Sequence, residues 1–396
     1  MGDTSAMASC GVITTPGNSA LTWAAKIWRL AAVGGALMLL TMGGAAACAI
    51  CLSYLQITTS QKLKWSADIV LGVPGAKDQF QIVAVVKGRS VVGDLITITD
   101  PIPLDESAST KPLLLLRNER NQAWSGLGAI GTEYVDWLRQ VAASGINDGR
   151  LPAFALSKAA ASRFGLTDAE WHDRVALVLP YLESSNPLAA DIAHGELARA
   201  PYSALRPIRG LLEATKVLNW IDSAPRSRRS AYILLLGIVG GETEAVRLED
   251  RIDAAWKAGD ASDLSAMLAA DLELRGTSRV DWVERKYFVD HNRTLPEVMA
   301  ALQALSVHGE AGGTISRARI IEAYRRFIKE RAPMAGFVAE DLADWQYWGA
   351  APDYAKLLKQ DVIQDPASHF AVVNYLQRSQ RAAANIETRS AVDRTR

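Results

Sequence analysis

The chain has 396 residues, and its 43 basic and 43 acidic side chains leave no formal net charge at pH 7. This length is enough for two or three domains, and the charge balance leaves no overall positive charge of the kind that indicates nucleic-acid binding. Glycine and proline contents are ordinary, so most of the chain is expected to be globular.

The N-terminal region divides into a polar tail, residues 1–29, and an apolar run without charges from Leu30 to Leu55. A helix needs about 20 apolar residues to cross the hydrocarbon of a bilayer, and this run is longer than that. A lone span satisfies its backbone hydrogen bonds only as a helix. The sequence therefore predicts a transmembrane helix over residues 30–55.

The orientation of this span depends on its flanks and on the cysteines. Lys26 and Arg29 precede it and Lys62 and Lys64 follow it, so the positive-inside rule gives no clear bias. No cysteine occurs after Cys51, as is typical of an oxidising compartment. We therefore expect a single-pass protein of the bacterial inner membrane with its C-terminal part in the periplasm. Small residues at 45–49 leave an alternative, a cleaved signal peptide and secretion to the periplasm.

A small β module is predicted over residues 65–145. Short β-branched runs separated by turn residues predict antiparallel strands that form a barrel or sandwich. A helix over Thr132–Ala143 closes the module. The predicted strands lie at residues 68–72, 79–87, 90–99 and 111–117. The strand pattern resembles that of OB-like or netrin-like extracytoplasmic modules, which implies binding of peptides, sugars or nucleic acids. Because no basic face with aromatics is visible, nucleic acid is not expected as a partner.

The remainder, residues 165–380, is predicted to be helical, which makes the fold class α+β. Capping boxes begin helices at Thr167 and Thr294, another helix is predicted from Pro201 to Trp220, and the last is expected near 367–378. Two segments, 231–252 and 298–328, share an apolar helix, a glycine and an arginine-containing helix. Their spacing corresponds to a period of about 35 residues, as in stacked helical hairpins. With Gly240-Gly241 at its turn, the first segment resembles a HEAT-type repeat, which implies a solenoid. Residues 381–396 are predicted to be a disordered tail.

One cluster suggests an enzyme. Asp191 and His194 have the spacing of one helix face, and with Glu196 they could form a metal-dependent or hydrolytic site. The tripeptide His-Gly-Glu occurs again at 308–310. Such spacings are common by chance, and no nucleotide-binding, zinc-protease or serine-hydrolase motif is present. We therefore assign no catalytic residue, cofactor or metal and favour a structural role.

Other groups suggest binding. Phe337, Trp345, Tyr347 and Trp348 form the densest aromatic set, which either lines a peptide-binding surface or seals the end of the array. The basic residues Arg226, Arg228 and Arg229 either meet an acidic partner or form a solvated helix start. The charged residues Glu284, Asp290, His291 and Arg293 either include an acid–base pair or cap helix ends, and we favour helix capping. The predicted function is therefore a membrane-anchored scaffold whose helical-repeat surface holds a protein or peptide.

Overall fold

The structure is a computed structural model. It describes residues 58–76, 78–98, 111–119, 122–143, 167–309 and 313–394, and the predicted span at 30–55 lies outside these ranges. Within them, no helix is both long enough and apolar enough to cross a membrane. The described chain is mixed α+β, with a small curled antiparallel sheet followed by a helical region. This confirms the predicted fold class and the order of its two parts.

A short helix and the sheet come first in the chain. Helix α1 begins with a capping box in which the Thr58 side chain accepts a hydrogen bond from the Gln61 backbone. The strands follow in the spatial order β3-β2-β1-β4-β5, and a parallel bridge joins Ile98, after β3, to Trp124, before β5. These elements are α1 Thr59–Trp65, β1 Asp68–Pro74, β2 Gln79–Lys87, β3 Leu95–Thr97, β4 Leu113–Arg117, β5 Ser125–Ala129 and α2 Val135–Ala142, the last preceded by a 3-10 turn at Thr132–Tyr134.

The sheet is buried on both faces at its centre. Val70, Phe80 and Leu115 form a small core inside the curl, whereas Ile69 and Leu114 pack toward α2 and the helical region. Strands β1 and β4 therefore read as unbroken apolar runs rather than alternating ones. The strand predicted over residues 90–99 is too long, because among its described residues, 90–98, only Leu95–Thr97 form a strand paired with β2.

Many helices make up the rest of the described chain. They are α3 Asp168–Val178, α4 Pro187–Arg199, α5 Tyr202–Leu205, α6 Ala214–Ser223, α7 Arg226–Val239, α8 Glu242–Ala258, α9 Leu264–Arg275, α10 Thr277–Val283, α11 Leu295–Gly309, α12 Arg317–Glu330, α13 Ala339–Asp344, α14 Ala351–Lys359 and α15 Pro366–Arg394. The capping box at Thr167 is confirmed, since Glu170 accepts from the Thr167 backbone and the Thr167 hydroxyl accepts from the Glu170 backbone. At Thr294, Glu297 accepts from the backbone N–H and the hydroxyl, which is one half of the predicted box.

A row of buried helices forms the core of this region. Helix α4 contacts α7, α7 packs on α9, and α9 packs on α11. In all four helices most residues are buried around the whole circumference, as expected for helices covered on every side. Amphipathic α6, α8 and α12 pack against α7, α9 and α11, respectively.

Two helix predictions need correction. The helix expected from Pro201 to Trp220 is interrupted by a 3-10 turn at Arg206–Gly210, because Pro207 lacks the backbone donor that a continuous helix needs. This turn contacts α7, where Arg209 Nε donates to the Ile238 carbonyl at 2.7 Å. At the C-terminus, α15 continues to Arg394, although the sequence predicts a disordered tail over residues 381–396. Residues 381–394 are rich in Ala and Arg and contain no Gly or Pro, a composition that favours a helix.

Candidate functional site

The three residues of the hypothetical enzyme site all lie on α4 but point to different partners. Asp191 is exposed and accepts a hydrogen bond from Thr59 Oγ1 at 2.5 Å. Glu196 is buried, and its carboxylate contacts Lys64 Nζ and Arg174 Nε, each at 2.7 Å, and Arg199 Nη1 at 3.5 Å. The structure therefore does not bring the three side chains together. Instead, Asp191 and Glu196 hold α1 against α4 through their contacts with Thr59 and Lys64.

His194 belongs to a separate buried cluster. Its Nε2 atom lies 2.7 Å from the Tyr232 hydroxyl, which donates a hydrogen bond to Glu183. Burial, and next the nearby Arg228 guanidinium, lower the pKa of His194 to about 3. Burial and the Glu183 carboxylate raise the pKa of Tyr232. Both rings are therefore neutral at physiological pH, as expected for a packed hydrogen-bond network.

The second His-Gly pair has a similar environment. His308 lies on α11, its Nε2 donates to the Ala269 carbonyl at 2.9 Å, and its ring meets Tyr202 edge-on. The following glycine, Gly309, lies so close to Trp345 that a methyl group there would overlap the indole. The repeated dipeptide therefore marks close packing of the buried row, and a glycine is needed where Trp345 approaches.

The predicted aromatic set is half-buried and packs against the C-terminal helices. Trp345 stacks on Tyr324 with ring centroids 5.5 Å apart, and Trp348 contacts Tyr375. The backbone carbonyl of Tyr347 accepts a hydrogen bond from the Tyr375 hydroxyl at 2.6 Å. Phe337 also packs on the core. This arrangement favours the sealing role over a free binding face.

The predicted basic residues lie at the start of α7, and two of them are paired within the chain. Arg226 contacts Asp260 at 2.7 Å, and Arg229 contacts Asp263 at 3.4 Å. These pairs join α7 to the loop before α9. The positive charge of Arg228 instead acts on the His194 cluster, where it helps to lower the pKa of His194. Their positions therefore favour the structural alternative.

A different surface of the helical region combines exposed apolar side chains with two cations that lie against a tryptophan ring. Trp256, near the end of α8, is 45% exposed, and Lys286 Nζ and Arg293 Cζ lie 3.8 Å and 4.3 Å from its ring. Next to these cations in the chain, Val289 is 38% and Leu295 54% exposed. We call these five residues the Trp256 surface.

The backbone beneath this surface is unusual. Residues Glu284–Val289 form a π-helical segment, a rare conformation found frequently at functional sites. Arg293 is buried and held by Asp290, Glu297 and the Lys286 carbonyl. Its guanidinium is therefore a fixed support for Trp256 rather than a mobile surface charge.

The Trp256 surface has the composition of a protein-binding site. Tryptophan is among the residue types that most often dominate binding energy at protein interfaces, and here it is exposed beside exposed aliphatic residues of the neighbouring chain segment. Sequence reasoning missed this surface because Trp256 stands alone and the charges at 284–293 were interpreted as helix caps. Glu297, which caps α11, lies outside those residues, and the interpretation overlooks the cation–π contacts of Lys286 and Arg293.

Metal binding has no geometric support in the described ranges, where no group of three or more His, Cys, Asp or Glu side chains could hold an ion. Comparison with known proteins finds no matching family model, no matching curated protein and no matching solved structure.

Proposed function

We propose that this chain is a scaffold that binds a protein or peptide partner through the Trp256 surface of a HEAT-like helical array. In this proposal residues 30–55 tether it to the bacterial inner membrane and the C-terminal part lies in the periplasm. The observation that carries the proposal is an exposed tryptophan whose ring lies against two cations, with an exposed valine and leucine close to those cations in the chain.

Packing of the array supports the solenoid part of the proposal. Helices α7, α9 and α11 begin about 31–38 residues apart, close to the period of helical-hairpin repeats. Each packs on the next and is covered by a neighbour, which is how stacked hairpins bury a continuous core. The parallel bridge between Ile98 and Trp124 supports an OB-like barrel for the sheet.

Site-specific crosslinking in cells tests the surface. A photoreactive amino acid is placed at Leu295 in the full-length protein, and the matched control is Leu211, which is 57% exposed. We expect a discrete adduct from position 295 and none from 211, and loss of the adduct in Trp256→Ala. Equal adducts from both positions, or an adduct unaffected by Trp256→Ala, would contradict the proposal.

Reporter fusions at both termini test the tether independently. The proposal requires a cytoplasmic N-terminal reporter and a periplasmic C-terminal one. A cytoplasmic C-terminal reporter would refute the compartment without affecting the binding surface.

A further inference from the structure

A cleft of about 380 Å³ opens on the sheet, where the turn from β2 to β3 comes close to the end of β4. Its volume lies within the range of sites that bind small molecules. Since a water molecule occupies about 30 Å³ in the liquid, the cleft has room for roughly a dozen non-hydrogen atoms. Its polar lining residues are Arg89, Ser90, Asp94 and Arg117, and Leu95 is among its apolar ones.

The charge of Arg117 is already compensated inside the protein. Its Nε donates a hydrogen bond at 2.8 Å to Asp68, which is fully buried. Its Cζ atom lies 4.7 Å from the centroid of the Trp124 ring. Asp68 also accepts a hydrogen bond from the backbone N–H of Arg89, at 2.8 Å. The guanidinium of Arg117 is therefore fixed, whereas Arg89 is anchored through its backbone alone.

Arg89 and Asp94 carry the two uncompensated charges of the cleft. Among the described residues, neither side chain forms an ion pair or a hydrogen bond, with the other or with any third group. Their common turn nevertheless has a defined backbone. Gly88 has φ +102°, and a side chain there would collide with Asp68. The Asp94 carbonyl accepts a hydrogen bond from the Ile82 N–H at 2.9 Å. One cleft therefore presents a cation and an anion that do not neutralise each other.

We propose that this cleft binds a small zwitterion, either a free amino acid or a dipeptide, with an apolar side chain. The Arg89 guanidinium receives the carboxylate in a charge-assisted hydrogen bond, and the Asp94 carboxylate receives the ammonium group. Leu95, which is 62% exposed, contacts the apolar side chain. This site lies on the sheet and depends neither on the Trp256 surface nor on the membrane tether.

The same charges disfavour other small ligands. An anion such as inorganic phosphate would be repelled by Asp94, and the charge of Arg117 is already used by Asp68. A neutral ligand would cover the charges of Arg89 and Asp94 without pairing them, which costs free energy. A zwitterion pairs both charges at once.

Ligand-observed NMR titrations of the full-length protein in mild detergent test the site. Free leucine and the dipeptide alanyl-leucine represent the two sources of the zwitterion. Each is compared with its N-acetyl form, which lacks the ammonium group, and with its C-terminal amide, which lacks the carboxylate. We expect at least one of the two zwitterions to bind with a Kd below about 1 mM. Both of its blocked forms should bind at least about tenfold more weakly.

Two variants assign the charges of the ligand to their partners. Asp94→Asn should weaken binding of the zwitterion about tenfold but leave the N-acetyl form unaffected, because that form has no ammonium group to lose. Arg89→Gln should weaken the zwitterion to a similar extent and leave the amide unaffected. The matched controls Asp222→Asn and Arg226→Gln remove exposed charges of the helical region and should change none of these affinities.

Both substitutions in the cleft keep the backbone hydrogen bonds of the turn, and thermal unfolding of each variant establishes that the fold is retained. Absence of binding by both zwitterions, or blocked forms that bind as tightly as the zwitterion, would overturn the proposal. Tighter binding of inorganic phosphate, or an equal loss of affinity in the control variants, would also overturn it. The crosslinking and reporter experiments above have separate readouts, so failure of the proposed function is distinguished from failure of this site.

Discussion

Replacing Glu196 with glutamine should destabilise the protein strongly. The change removes the negative charge among Lys64, Arg174 and Arg199, of which Lys64 and Arg199 have side chains more than nine-tenths buried. Breaking a buried ion pair costs about 3–5 kcal/mol. We expect about 3 kcal/mol for Glu196→Gln, the low end of that range, because the amide oxygen can still accept a hydrogen bond.

Thermal unfolding of the full-length protein in mild detergent measures the effect. For a cooperative unit of roughly 230 residues the unfolding entropy is about 0.5 kcal/mol/K, so the midpoint should fall by roughly 6 °C. The matched control is Asp222→Asn, which breaks an ion pair with Arg251 of similar length, 2.6 Å, between two exposed side chains. Exposed pairs contribute less than about 1 kcal/mol. Equal midpoint shifts in the two variants would refute the reasoning.

The same variant should change the pH dependence of stability. Burial alone would raise the pKa of Glu196, but the charges of Lys64, Arg174 and Arg199 together lower it below 4.5. Its stabilising effect is therefore complete above the unfolded-state pKa, about 4.3, and is lost as the pH falls through the lower folded-state pKa. The unfolding midpoints of the wild type and Glu196→Gln should converge below about pH 4.

Three further predictions concern the buried row. Because the pKa of His194 is lowered to about 3, its ring should not titrate between pH 5 and 8 by NMR, and a titration midpoint near 6.5 would contradict its burial. The stability that the neutral ring supports should decline as the pH falls below about 6.5, where the unfolded state takes up a proton. Tyr232→Phe should cost about 1–3 kcal/mol by denaturant unfolding, since the hydroxyl joins two polar groups; an unchanged midpoint would show that water replaces it. Gly309→Ala should destabilise by about 1–3 kcal/mol through overlap with Trp345, whereas Gly210→Ala, with open space around it, should be close to neutral in the same assay.

The sequence predicted those elements that depend on local signals. Side-chain capping identified the helix starts at Thr167 and Thr294, and β-branched runs identified β1 and β2. Strand β5, Ser125–Ala129, was not identified because its two glycines weaken the strand pattern. The turn at Arg206–Gly210 was not predicted, because the helix-forming residues around Pro207 favoured a continuous helix and the effect of the proline was underestimated.

The binding surface could not be predicted from the sequence, because its members are brought together only by tertiary structure. Trp256 and Arg293 are far apart in the chain and meet because the π-helical segment directs Lys286 and the following loop onto α8. Helical spacing correctly put Asp191 and His194 on neighbouring positions of one helix. It could not show that Thr59, Tyr232 and Lys64 would pair with Asp191, His194 and Glu196, respectively.

The docking of α1 has a mechanical consequence. Helix α1 lies before the sheet in the chain, yet it packs on α4 and α2 and is fixed by the contacts of Lys64 with Glu196 and of Thr59 with Asp191. A pulling force applied to the chain before residue 58 would load these contacts and the buried side chain of Leu63 before it reached the hydrogen bonds of β1. Under tension, the first event should therefore be detachment of α1 from α4, with the strands still paired.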